Sequence, residues 1–272
     1  MMSTRTLRRT GALALLLLLA GCAPPSNILP YEKDVLREEE PDPGNISRQY
    51  NRVAMFQVEE PDVYGVRILD YDTPNPGVTL PGRIVGEAAG QVAEQADRAN
   101  RNLQLTESLR EWNFSIADEL NSELRLELED AGMEVLVLES EDHRHAGPAR
   151  GYQYLGEYPE VSQPIDAYLH VYLEFAGYSA VKPDSPYVPT VEVLVQAVDP
   201  QTKRALYSAT YTYGGAIPVE GPTDRPADPK YNVRDFGWLC AGREQCEMSP
   251  AVQGLRAAAM QIADMVAAQL TG

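Results

Sequence analysis

The fold is decided by residues 190–213, which read TVEVLVQAVDPQTKRALYSATYTY. Residues 190–198 and 204–213 both alternate between two kinds of side chain with a period of two, which is typical of β-strands. The residues between these two runs begin with Asp199 and Pro200, which favour a turn. The stretch therefore predicts an antiparallel β-hairpin.

A third strand is predicted before the hairpin, over residues 165–175 (IDAYLHVYLEF). One of its faces is apolar and consists of Ile165, Ala167, Leu169, Val171, Leu173 and Phe175. The other face consists of Asp166, Tyr168, His170, Tyr172 and Glu174 and is expected to be the wetter one. Shorter apolar runs predict strands over residues 52–58 and 133–138, and a further strand within residues 63–71.

Apolar residues spaced three and four apart predict helices over residues 84–100, over residues 115–131 and from residue 250 onwards. Asn113 or Ser115 can cap the start of the second helix, and Ser115 with Asp118 resembles a capping box. Gly132 suits the position after the end of this helix. Ser249 and Pro250 are typical of the first positions of the third helix. Together these elements predict one α/β (α+β) domain, with a mostly antiparallel sheet and helices packed on one face.

The N-terminus has the pattern of a secretory signal peptide. Arg5, Arg8 and Arg9 precede an apolar run over residues 11–20 (GALALLLLLA). About 20 apolar residues are needed to span a bilayer as a helix, so this run is too short. A basic start followed by a short apolar run indicates export rather than a membrane span.

The apolar run ends in Leu19, Ala20, Gly21 and Cys22, which resembles the lipobox of bacterial lipoproteins. The resemblance implies cleavage before Cys22, a diacylglycerol on its thiol and usually a further acyl chain on the new α-amine. Two or more acyl chains give stable anchoring. The next residue is Ala23 rather than aspartate, and this implies the outer membrane, with the domain on its periplasmic face.

The two other cysteines agree with export. Cys240 and Cys246 lie in the segment WLCAGREQCEM. In an oxidising compartment such a pair favours a local disulfide. A zinc site would need further ligands nearby, and no histidine is close in the sequence.

Between the signal and the domain, the sequence is rich in proline and charge. Residues 23–50 include the run Glu38, Glu39 and Glu40 and contain few apolar side chains, as expected for a solvated tether. The predicted organisation is a signal peptide over residues 1–21, a lipidated cysteine and tether over residues 22–50, and a single periplasmic domain over residues 51–272.

The charge of the chain limits its partners. It has 23 basic and 40 acidic residues, and three of the basic ones lie in the signal, so the exported part would carry 20 basic against 40 acidic residues. This balance argues against nucleic-acid binding and against attraction to anionic headgroups. Membrane attachment therefore has to come from another source, such as the lipid on Cys22.

Aromatic residues are the candidate binding surface. Tyr168 and Tyr172 share one face of a predicted strand, and Tyr207, Tyr211 and Tyr213 share a face of another. Amphipathic rings suit the recognition of a protein or glycan, but they are also ordinary strand formers that pack across a sheet. Further candidate binding residues are Tyr152, Tyr154 and Tyr158.

The three histidines suggest no definite metal site. His143 and His145 lie in the segment EDHRH, where they are either part of a divalent-metal site or of a solvated polar loop. His170 reads as a surface histidine on the polar side of a strand. The sequence contains none of the common catalytic motifs and indicates no cofactor.

Residues 113–270 resemble CsgG-like, YajG-like and penicillin-binding-protein-activator lipoprotein domains. The resemblance rests on SIADELNSELRLELEDAGMEVLVL, IDAYLHVYLEF, the hairpin and the closing helix. It implies a non-enzymatic envelope role, in which the domain binds or assembles another envelope component. The alternative is a periplasmic hydrolase of cell-wall or glycan substrates, with a site built from the long loops around residues 139–164 and 214–248.

Overall fold

The structure is a computed structural model that describes residues 50–69, 84–138, 158–203, 205–217, 221–239 and 249–271, with the backbone alone for residues 84–93. All of these residues belong to one compact unit, which covers residues 41–272. Cys22, Cys240, Cys246, His143, His145, Tyr152 and Tyr154 lie outside the described residues. Within the described part, no helix has both the length and the apolar character to cross a membrane.

The described strands form one seven-stranded sheet. The strands are β1 (Arg52–Phe56), β2 (Gly65–Ile68), β3 (Glu134–Leu138), β4 (Ala167–Ala180), β5 (Val188–Val198), β6 (Ala205–Gly214) and β7 (Asp224–Arg225). Their order is β3-β1-β4-β5-β6-β7, and β2 also pairs with β4. The predicted hairpin is confirmed as β5 and β6, and β4 pairs antiparallel with β5.

The α+β class is confirmed, but the sheet is more mixed than the prediction of a mostly antiparallel one. Strands β1, β2 and β3 all pair in parallel, β1 with both β3 and β4, and β2 with β4. The short β7 is also parallel to β6. Parallel neighbours come from distant parts of the chain, so local alternation does not reveal their direction.

Helices cover one face of the sheet, as predicted. They are α1 (Ile84–Glu111), α2 (Ile116–Asp130), the single turn α3 (Phe236–Leu239) and α4 (Pro250–Thr271), with a 3₁₀ helix at Pro229–Tyr231. Buried residues of α1, α2 and α4 join one face of the strands in a single hydrophobic core. Helix α4 is buried along most of its length, and its many alanines allow it to lie close to the sheet.

Three side chains bind the backbone and N-cap of the first turn of α2. The Ser115 hydroxyl caps the helix by accepting from the N–H of Asp118 at 3.0 Å, as predicted. The Glu60 carboxylate accepts from the Ser115 hydroxyl at 2.8 Å, from the Ala117 N–H at 3.0 Å and from the Tyr64 hydroxyl. Because burial and the bond to Glu60 both favour the neutral phenol, the pKa of Tyr64 is raised above its ordinary value.

Helix α1 continues to Glu111 instead of ending near residue 100 as predicted. Side chains of its last three turns bind backbone N–H groups at the edge of β2. The side chain of Asn102 accepts from the N–H of Val66 at 2.6 Å, and the hydroxyl of Thr106 accepts from the N–H of Tyr64 at 2.9 Å. These two polar residues lie one turn apart on the helix, and their partners lie two residues apart, one within β2 and the other directly before it. The edge of β2 is therefore satisfied by helix side chains instead of by another strand.

Candidate binding surfaces

The sheet face opposite the helices carries an aromatic cluster formed by Phe56, Tyr158, Tyr168, His170 and Tyr172. The His170 ring stacks on Phe56, with centroids 4.6 Å apart, and lies 5.7 Å from the nearly parallel ring of Tyr172. Tyr158 lies 4.5 Å from Tyr168 and meets His170 edge-on. Phe56 and Tyr168, with Tyr158 packed against them, belong to a second, smaller hydrophobic group that is separate from the helix-side core.

Polar contacts fix the aromatic cluster in place. The Tyr172 hydroxyl lies 3.1 Å from Nδ1 of His170, and the Tyr168 hydroxyl donates to the carbonyl of Pro159 at 2.7 Å. The Lys203 ammonium lies 4.5 Å from the centre of the Tyr158 ring and 4.9 Å from that of Tyr168, within the range of a cation–π contact. Lys203 has a positive φ of 60°, which the residues around it do not predict.

The aromatic cluster corrects two predictions about this face of β4. The face was expected to be wet, but Tyr168, His170 and Tyr172 are all at most 9% exposed. His170 was interpreted as a surface histidine and is instead 1% exposed among aromatic rings. Tyrosine and histidine are polar at one end only, so their rings pack in a buried layer as long as the polar atoms find partners.

The prediction that five tyrosines form one binding surface is wrong for the three tyrosines of β6. Tyr207, Tyr211 and Tyr213 point into the helix-side core, on the opposite side of the sheet from Tyr168 and Tyr172, and all three are at most 2% exposed. The hydroxyls of Tyr207 and Tyr211 lie 2.6 Å apart, and that of Tyr213 accepts from the N–H of Asp228 at 3.2 Å. These residues are cross-strand packing residues in this structure rather than a binding surface.

Burial of these phenols predicts a cooperative alkaline transition. Burial raises the pKa of Tyr178, Tyr207 and Tyr211 above the ordinary value of 10.0, and the same cause acts on Tyr168 and Tyr213. In the unfolded chain these phenols ionise near pH 10, whereas in the folded domain they stay protonated. The stability they confer is therefore complete below about pH 10 and is lost as the pH rises through the raised values.

The alkaline transition is measured by following tyrosinate absorbance and circular dichroism over the same pH series. We expect the part of the tyrosinate absorbance that comes from the buried phenols to appear together with the loss of circular dichroism, and Tyr211→Phe to move the transition to higher pH. Smooth titration of all the phenols near pH 10 with unchanged circular dichroism would contradict the burial of these rings.

The described residues show a hydroxyl–carboxylate contact but no metal cluster. No group of three or more histidine, cysteine, aspartate or glutamate side chains among them is placed to hold a metal ion. The Ser115 hydroxyl meets the Glu60 carboxylate, but the same hydroxyl also accepts from the Asp118 N–H. This contact closes the start of α2, and its geometry fits helix capping.

Exposed apolar side chains were missed by the sequence analysis. They are spread over several elements and consist of Val63, Leu103, Leu126, Val137, Val181, Ile217, Trp238 and Met260. Single exposed apolar residues are normal on protein surfaces. Among these described residues, Val137 alone lies within a strand at the edge of the sheet.

Comparison with known proteins gives distant fold likenesses. No family model and no curated protein matches the chain. A Xanthomonas campestris protein of the DUF330 family is 12% identical with a TM-score of 0.37, over 84% of this chain and 86% of that one. A PelC dodecamer subunit from Paraburkholderia phytofirmans is 13% identical with a TM-score of 0.32, over 82% and 90%. A hypothetical protein from Chlamydia trachomatis is 11% identical with a TM-score of 0.33, over 81% and 98%. Likenesses this distant assign neither a family nor a function.

Proposed function

We propose that the chain is an outer-membrane lipoprotein on the periplasmic side, whose domain is a non-enzymatic binding or assembly module for another envelope component. The observation that carries this proposal is the N-terminal sequence. Arg5, Arg8 and Arg9, an apolar run of ten residues and the lipobox-like segment ending in Cys22 follow one another in the order of a lipoprotein signal.

The position of the first strand of the domain supports the proposal. Strand β1 begins at Arg52, directly after the predicted tether of residues 23–50. A flexible tether of 28 residues has an r.m.s. span of about 30 Å, so it gives the domain room to reach a partner away from the bilayer. The acidity of the exported chain makes a lipid anchor necessary, because such a domain gains nothing from anionic headgroups.

The function is tested by crosslinking the intact lipoprotein in living cells and purifying it through an affinity tag. We expect a defined envelope protein to be recovered in a fixed ratio and to be lost when the anchor is removed. Recovery of abundant bystanders alone would contradict a binding role. Release of soluble fragments from purified cell wall by the purified protein would instead support the hydrolase.

A further inference from the structure

The outer edge of β3 is the part of the sheet that the described structure leaves open. Within β3, Glu134 donates its N–H to the carbonyl of Asn51 at 2.8 Å, and Leu138 accepts from the N–H of Gln57 at 3.1 Å. Backbone direction alternates along a strand, so the N–H and C=O groups of Val135 and Val137 point away from β1. No described residue pairs with β3 on that side.

The other two edges of the sheet, at β2 and β7, are covered or tied to a helix. The edge of β2 is closed by Asn102 and Thr106 of α1. At the far side of the sheet β7 has two residues, and Arg225 ties it to α4 through Gln261 and Asp264, at 2.6 and 2.8 Å. Proteins usually blunt edge strands with charge, proline, bulges or cover, because an open edge is a template for pairing with another chain.

Strand β3 lacks these protective features. It reads EVLVL and contains neither proline nor lysine. Its register with β1 is regular from end to end. Glu134 forms a salt bridge with Arg52 of β1 at 2.5 Å, so its charge does not protect the outer edge. The Val137 side chain is 41% exposed. An apolar, regular edge strand of this kind favours strand addition.

The side chains of β3 determine what kind of strand can be added to its outer edge. Val135 and Val137 lie on one face of β3 and Leu136 and Leu138 on the other, so an added strand needs apolar side chains on both faces. After residue 21, none of the segments outside the described residues has three consecutive residues from Val, Ile, Leu, Met, Phe and Tyr. The segment VLVL of β3 itself meets the requirement.

We propose that two copies of this chain pair through the outer edges of their β3 strands, antiparallel about a two-fold axis at Leu136. In this register Val135 of each copy faces Val137 of the other, and their outward N–H and C=O groups bond to each other. Glu134 faces Leu138 rather than a second Glu134, so the register brings no like charges opposite each other. The two sheets then form one continuous sheet.

The lipid anchor strengthens the pairing, and in this respect the inference rests on the proposed function. A single pair of short strands buries less than the roughly 1,200 Å² that stable interfaces bury, and two acidic domains repel each other. Confinement on one membrane raises the effective concentration of the copies and offsets both costs. A fully extended tether of 28 residues reaches about 90 Å, so both copies attach to the same bilayer although their β1 strands start at opposite ends.

Cysteine crosslinking in the full lipidated chain tests the pairing. Leu136 faces Leu136 of the second copy in a non-hydrogen-bonded pair with Cα atoms about 4.5 Å apart, a distance that a disulfide accepts. We expect Leu136→Cys to give disulfide-linked dimers in membranes under mild oxidation. The matched control is Leu126→Cys on α2, which is 53% exposed and is expected to give about tenfold less dimer, because its position allows only random collision.

Two substitutions at Val137 test whether the dimer forms through the outer edge of β3. Val137→Pro removes an outward N–H without touching the ladder to β1, and Val137→Lys places a charge on the edge. Each, added to Leu136→Cys, is expected to lower the dimer by about tenfold while the melting temperature stays within a few degrees. Equal dimer from Leu126→Cys, no dimer from Leu136→Cys, or no effect of either Val137 change would overturn the pairing.

Fractionation of the same cells keeps the two proposals apart. Membrane-bound protein without Leu136 crosslinks removes the pairing and leaves the lipoprotein function standing. Protein that is crosslinked through position 136 but recovered in the soluble fraction removes the anchor and leaves the pairing standing.

Discussion

Replacing Cys22 with alanine is expected to remove the protein from the outer membrane. The thiol of Cys22 is the proposed attachment point for the lipid, and each buried methylene of an acyl chain contributes about 0.8 kcal/mol of membrane affinity. Without it, the chain after residue 21 has 20 basic against 40 acidic residues and gains no attraction to anionic headgroups. The product should be a soluble form or an unprocessed precursor that retains residues 1–21.

The measurement combines fractionation with metabolic labelling by a fatty-acid analogue. The Cys22→Ala chain should lose the label completely and disappear from the outer-membrane fraction. The matched control is Cys246→Ala, which also removes a cysteine but leaves the lipobox intact, and it should keep both the label and the location. A Cys22→Ala chain that is labelled and fractionates like the parent protein would refute the lipid anchor.

The elements that depend on local pattern were predictable from the sequence. Helix α2 begins after the Ser115 cap and is followed by Gly132, whose φ of +90° suits glycine at that position. Helix α4 begins at Pro250, with Ser249 accepting from the N–H of Ala251 at 3.2 Å. In each case the signal lies within a few residues of the feature that it predicts.

Features that depend on distant contacts were not predictable. The predicted end of α1 near residue 100 was wrong because the continuation is held by Asn102 and Thr106, polar residues whose partners belong to β2. The same reason applies to the tyrosines. Alternation correctly placed Tyr168 and Tyr207 on defined faces of their strands, but the sequence does not say that both faces of the sheet are covered there.

A large loss of stability is expected for Gly177→Ala in β4. Gly177 faces Gly65 of β2 in the parallel ladder. A Cβ at position 177 would lie 1.8 Å from the carbonyl oxygen of Gly65 and 2.7 Å from its carbonyl carbon. Both are backbone atoms within a hydrogen-bonded strand, so no side-chain rotation relieves the collision. Strand β2 has to move away from β4, and α1 loses the backbone groups that Asn102 and Thr106 bind.

The cost of that separation exceeds ordinary overpacking, which is about 1–3 kcal/mol, because ladder hydrogen bonds of about 1 kcal/mol each are lost as well. We expect a loss of about 4 kcal/mol or more, a large part of the 5–15 kcal/mol that stabilises a typical domain. The matched control is Gly132→Ala, whose Cβ would meet nothing within 4 Å and whose cost is the strain of a positive φ, about 1–2 kcal/mol. Urea unfolding followed by circular dichroism measures both variants. A Gly177→Ala chain at least as stable as Gly132→Ala would show that β2 does not approach β4 so closely, and the closure of the β2 edge by α1 would then need to be reconsidered.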